Sequence, residues 1–174
     1  MGRGNNKIVI SDTTAIIYLS RLRALHLLES LFQVIYIPEA VYQELIRKGD
    51  HIPGAIEVKT YPWIKTEPVK NLAKVMQGFG RPLHAGESEA IALALEKNAD
   101  LLIIDEKDGR WEARQQGIRI TGMLGIFLLA KERGLIRSVR PYLDRLVLTT
   151  NFKLNPKLYH DVLMAAGESK AGSQ

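Results

Sequence analysis

Gly86-Glu-Ser-Glu-Ala-Ile-Ala-Leu-Ala-Leu-Glu-Lys-Asn-Ala-Asp-Leu-Leu-Ile-Ile-Asp105 decides the reading of this 174-residue chain. Ala, Leu and Glu are strong helix formers, and neither Pro nor Gly interrupts positions 87–99, which predicts a helix there. Leu101 to Ile104 then form a short apolar run that stops at Asp105. A strand covered on both faces looks like this where its carboxyl end meets solvent. In open parallel sheets that edge is where ligands bind. Asp105 therefore stands at a privileged position, with Glu87 at the start of the helix that feeds its strand.

The same pattern recurs upstream. Lys7 to Ser11 is a β-branched run closing on Asp12, with a helix from about Ala15. Asp12 reads equally as an N-cap for that helix or as a second carboxylate at a strand end. Arg23 to Phe32 has helical periodicity; Val34 to Ile37 reads as a strand ended by Pro38, and Glu39 to Lys48 as the helix after it. Glu44 borders the inward face set by Val41 and Leu45, a place for a site residue or a solvated rim residue.

Between Gly49 and Gly86 the pattern is least regular. Residues 49–54 read as a turn, Trp63 to Glu67 as a short strand and Val69 to Met76 as a helix. Gln77 to Gly86 reads as a mobile loop in which Phe79 and Arg81 either contact nucleic acid or serve as turn residues. Its Gly78-Phe79-Gly80 lacks the strand and third glycine of a dinucleotide fingerprint. Downstream, Trp111 to Gln116 predicts a helix and Ile118 to Thr121 a strand. Further helices are predicted over 122–134, 138–147 and 155–166, with a disordered tail from Glu168. Alternation of strand and helix predicts a parallel sheet covered on both faces, without repeats or a second domain.

Composition bounds the chemistry. The chain has 46% hydrophobic residues, no cysteine and no apolar run of membrane-spanning length, so we expect a cytoplasmic protein with one core and no membrane association. His26, His51, His84 and His160 are scattered without zinc-site spacing. Two carboxylates 5 Å apart repel by about 3 kcal/mol at an effective dielectric near 20, so gathering Asp12, Glu44, Glu87 and Asp105 at one edge calls for a cation. All-oxygen clusters select hard ions, Mg²⁺ or Mn²⁺. The chain carries +5 overall; without those four acids it has 15 acidic against 24 basic side chains. An anionic hole within a cationic surround suits a phosphodiester polymer.

The order Asp12-Thr-Thr, Glu44, Gly-Glu87-Ser-Glu-Ala-Ile-Ala-Leu-Ala and Ile-Ile-Asp105, the last two acids 18 positions apart, resembles the PIN-domain nucleases, a family that includes VapC-type toxins. Within it, the Gly-Glu-x-Glu-Ala-Ile motif, Thr121-Gly-Met-Leu-Gly and Ala130-Lys-Glu-Arg-Gly-Leu-Ile resemble stand-alone members with a helical C-terminal extension. The resemblance implies a three-layer α/β/α, Rossmann-like fold with a mostly parallel sheet of four to five strands. It implies a single domain over 7–166, with its core over 7–136, an extension over 137–166, and flexible termini at 1–6 and 167–174.

It also implies a divalent-metal-dependent ribonuclease with Asp12, Glu44, Glu87 and Asp105 as catalytic and metal-binding acids, and Mg²⁺ or Mn²⁺ as cofactor. Thr14 matches a position that steadies the first acid. Arg110 matches a basic position that either pairs with Asp105 or contacts phosphate. Asp108 reads as a fifth acid or as a helix N-cap. Glu87 stands where Asp is commoner; Glu89 competes for its role, but points about 200° away on a helix. An RNA substrate, an antitoxin partner and a homodimer follow from the same resemblance. A nucleic-acid- or protein-binding module that keeps the fold without cleaving is the alternative. A phosphoacceptor domain fits less well, because no adjacent acidic pair follows the first strand.

Overall fold

A computed structural model of the chain describes residues 7–168. Its strands are β1 (Val9–Ser11), β2 (Ile35–Pro38), β3 (Ile64–Glu67), β4 (Leu101–Ile103) and β5 (Ile120–Thr121). The helices are α1 (Thr13–Arg21), α2 (His26–Phe32), α3 (Glu39–Arg47), α4 (Ala55–Thr60), α5 (Leu72–Met76), α6 (Ala85–Glu96), α7 (Lys107–Gln115), α8 (Met123–Glu132), α9 (Arg140–Thr149) and α10 (Pro156–Ala165). All strand pairs are parallel, in the order β3-β2-β1-β4-β5.

Residues alternate across a pleated strand, so the two sheet faces can be read from the central strands. Val9 and Ile103 join one core with α1, α2, α3, α8, α9 and α10. Ile10, Leu102 and Ile104 join the other, with α6 and α7. These strands are apolar at successive positions because both faces are covered. The three-layer expectation holds, with five strands and every pairing parallel.

Local differences have local causes. The helix expected over Arg23 to Phe32 starts at His26, because Arg23 takes φ +55° and ends the α1 turn. Ala55–Thr60 is helical where irregular chain was expected; Gly54 enters it at φ +94°, and its amide donates to Glu57 Oε2 at 3.1 Å. The helix expected from Trp111 begins at Lys107, across Gly109. Low helix propensity there yields to packing, since a Cβ on Gly109 would lie 2.6 Å from Ile104 Cδ1.

Glu168 is not part of a free tail. It accepts hydrogen bonds from the Ser138 hydroxyl, the Val139 and Arg140 amides and Lys131 Nζ, closing the end of α10 onto the start of α9. The flexibility expected for 1–6 and 169–174 lies outside the described residues. Among those described, no helix is long and apolar enough to cross a membrane.

Candidate active site

Asp12 and Asp105 emerge side by side because β1 and β4 are neighbours, with Ser11 paired to Ile103. The Asp12 amide extends the ladder by donating to the Ile103 carbonyl at 3.0 Å. Asp12 is 2% exposed and N-caps α1, its Oδ1 accepting from the Ala15 amide at 3.0 Å. The cap and site readings are therefore compatible, since Oδ2 is buried and has no partner. Burial pushes the Asp12 carboxyl far above its usual range; the Ala15 amide opposes this, while the charges of Asp105 and Glu87 add to it.

Asp105 is held from the far side of the sheet edge. The Met123 amide, at the start of α8, donates to both carboxylate oxygens at 3.1 Å. A Cβ on Gly122 would lie 2.3 Å from Asp105 Oδ1 and 2.9 Å from Arg110 Nη1, so only glycine lets the chain approach this closely. Burial raises Asp105 to about 6 against the Met123 bond and the Arg110 charge. Arg110 donates to the Ile104 carbonyl at 2.8 Å, and burial lowers its pKa while Asp105 opposes that shift. Arg110 thus acts on Asp105 through its charge, while its guanidinium donates to the main chain at Ile104.

Glu87 lies in the first turn of α6. Its carboxyl carbon would be 3.6 Å from a Cβ on Gly109, and its pKa is raised by burial, then by Glu106 and Asp108. Asp12, Glu87 and Asp105 thus form one electrostatic group. Glu106, exposed and next to Asp105, is an acid the sequence reading passed over. Its charge also raises Tyr18 of α1, second to burial and ahead of Asp105.

Glu44 has other partners. Its Oε2 accepts from the Thr13 hydroxyl at 2.8 Å, and its Oε1 pairs with Lys48 at 2.9 Å. It lines a cleft of about 660 Å³ with Arg47, Lys48, His84 and Glu89. A Cβ on Gly86 would come 3.3 Å from Glu44 Oε2, so the start of α6 passes directly beside it. The hydroxyl that organises this corner belongs to Thr13, while Asp12 is steadied by the Ala15 amide, not by Thr14. Glu89 accepts from the Ala40 amide at 2.8 Å and so satisfies the exposed start of α3.

Asp108 sits in the first turn of α7, while Glu106 occupies the N-cap position. The Asp108 carboxylate pairs with Arg81, whose guanidinium lies 4.4 Å over the Trp111 ring. The segment around Arg81 is anchored: the Gly80 amide donates at 2.9 Å to Glu112, itself 1% exposed, and Phe79 packs on the second core. This replaces the mobile loop of the sequence reading.

Among the described residues, no three Asp, Glu, His or Cys side chains converge as a ready-made metal cage. The residues nevertheless fit a hard cation. An unpartnered carboxylate oxygen is buried at Asp12, and its mutually repelling neighbours provide only oxygen donors. Mg²⁺ is commonly bound by one or two carboxylates with water and phosphate completing the shell.

The PIN domain family matches residues 8–168. In fold, the chain is similar to the PIN domain endonuclease Utp24, with a TM-score of 0.51 and 16% identity over 69% of this chain and 87% of that one. It also aligns with a PilT N-terminus domain protein, SSO1118, from the archaeon Sulfolobus solfataricus. That alignment has a TM-score of 0.46 and 19% identity over 85% of this chain and 99% of the other. No curated protein matches it in sequence.

Proposed function

Since the chain belongs to the PIN domain family, we propose that it is a divalent-metal-dependent ribonuclease. The observation that carries this reading is the buried, unpartnered Oδ2 of Asp12 beside Asp105 and Glu87. A fold retains an uncompensated buried carboxylate at a cost, and such strain is concentrated at functional sites.

Asp12, Asp105 and Glu87 are the residues that would hold Mg²⁺ or Mn²⁺, with Glu44 and Asp108 at the margins. When bound, such an ion supplies charge neutralisation and an activated water for phosphodiester hydrolysis. The chain's own part is positioning. The Ala15 and Met123 amides fix one carboxylate each, so neither must reorganise when substrate arrives. Arg110 moderates the charge on Asp105 and leaves the remaining guanidinium donors for a phosphate oxygen. Products would carry 5′-phosphate and 3′-hydroxyl ends.

The test is cleavage of a 5′-labelled RNA mixture with Mn²⁺, with Mg²⁺ and with EDTA, beside Asp105→Asn. Metal-dependent products absent from the variant are expected. Equal cleavage by variant and natural chain, after contamination controls, refutes the reading. A binding module without cleavage is favoured by one observation, the engagement of Glu44 by Thr13 and Lys48. Titration calorimetry separates them: a nuclease binds Mn²⁺ in a manner dependent on Asp12 and Asp105. A toxin role requires a companion protein that blocks the site, which co-purification from the native source would reveal, and a homodimer is tested by sedimentation.

A further inference from the structure

Arg81 is held more firmly than a surface arginine needs to be. One face of its guanidinium lies 4.4 Å from the Trp111 ring centre, and its edge pairs with Asp108. The indole of Trp111 lies close over the Gly80 backbone, where a Cβ would stand 3.1 Å from two of its atoms. Below them, Glu112 takes the Gly80 amide at 2.9 Å and the Gln116 amide nitrogen at 3.1 Å. Glu112 and Phe79 already secure this segment, and an exposed ion pair adds little stability. The Arg81 side chain remains 35% exposed. The stack therefore offers a planar cation whose ordering entropy is already spent.

Its location is specific. Asp108 is three residues beyond Asp105 on α7, and its charge reaches Glu87, against which Gly109 packs. Unpaired bases stack on aromatic rings and on guanidinium planes, whereas duplex bases are unavailable for such contact. Building on the ribonuclease reading, we propose that the Arg81–Trp111 stack is a platform for one unpaired nucleobase of a single-stranded RNA whose phosphodiester lies at the carboxylates.

The experiment measures binding in EDTA, so that it does not depend on cleavage. Labelled single-stranded RNA, the same RNA as a duplex, and inorganic polyphosphate are titrated against the natural chain, Arg81→Lys and Arg81→Ala, with indole emission followed in parallel. Trp63, the other tryptophan, is 8% exposed and serves as a constant background. Single-stranded RNA quenches emission, and both substitutions weaken its binding roughly tenfold, because Lys keeps the charge but lacks the plane. Duplex and polyphosphate give no quench. The proposal is overturned if Arg81→Lys binds as the natural chain does, if polyphosphate or duplex quenches equally, or if single-stranded RNA does not bind. Circular dichroism establishes that the variants are folded. A parallel Mn²⁺ cleavage assay separates the two claims. Cleavage with unaltered Arg81→Lys binding removes the platform alone, whereas Arg81-dependent quenching without cleavage removes the nuclease alone.

Discussion

Asp105→Asn should make the metal-free protein more stable at neutral pH while removing its activity. Burial raises the carboxyl from 3.8 to about 6, against the Met123 amide and Arg110. The folded pKa exceeds the unfolded one, so the stability contributed by the protonated acid is fully present below about 4 and is lost as pH rises through about 6. At neutral pH the charge costs about 3 kcal/mol, at 1.36 kcal/mol per pKa unit. Asn carries no charge and keeps one oxygen for the Met123 amide, giving up about 1 kcal/mol for the weaker bond. The net gain is about 1–2 kcal/mol, or roughly 2–8 °C in Tm for a chain of this size. Thermal melts in EDTA at pH 4 and pH 7.5 test this. The variant should gain at pH 7.5 and lose that advantage at pH 4; millimolar Mn²⁺ should then stabilise only the natural chain. A variant less stable at pH 7.5, or a gain independent of pH, would refute the argument that Asp105 is a strained charge.

Gly122→Ala should abolish cleavage, because its Cβ would strike Asp105 Oδ1, and should cost about 1–3 kcal/mol in urea unfolding as an overpacked site. The two glutamates near the start of α6 should separate cleanly: Glu87→Ala loses cleavage, whereas Glu89→Ala loses only the bond to the Ala40 amide, about 1 kcal/mol, and still cleaves. Burial pushes Glu168 up, but the Ser138 hydroxyl, Lys131 and the Val139 and Arg140 amides outweigh it and hold the acid at about 2. Its contribution is present above the unfolded pKa near 4.5 and is lost as pH falls through about 2. Glu168→Ala should therefore cost about 1–3 kcal/mol at pH 7 and progressively less in acid, read from melts across that range.

The sheet was legible because its central strands are short apolar runs that end in carboxylates, a pattern that only double coverage explains. Residues 101–105 revealed both a strand and a candidate site residue, and Asp12 did so once more. Pairwise order was not legible, since nothing in residues 9–11 or 101–103 names its neighbour; crossover geometry decides that. Ala55–Thr60 escaped notice because Pro53, Gly54 and Pro62 flank a segment only six residues long.

At the site, reading failed where two residues of one type stand close together. Thr13 and Thr14 differ by about 100° on a helix, and only the contact with Glu44 distinguishes them. Glu106 was overshadowed by Asp105, although adjacent acids at a strand end could have flagged it. Arg81 and Asp108 were each singled out, but not their pairing or the ring beneath Arg81. Trp111 and Asp108 lie about 30 residues further on, in a helix whose start Gly109 concealed.

The pairing of Ser11 with Ile103 carries a consequence for how such a chain can change over evolutionary time. The two aspartates are placed by main-chain ladders, so interior side chains can drift while the distance between the acids is preserved. Length has no such latitude. Deleting one residue from 101–104 would slide Asp105 by about 3.3 Å and turn it to the opposite face of the sheet. Insertions and deletions should therefore be purged from β1 and β4 yet accumulate in the 49–54 turn, making length conservation a signature of this centre distinct from conservation of its acids.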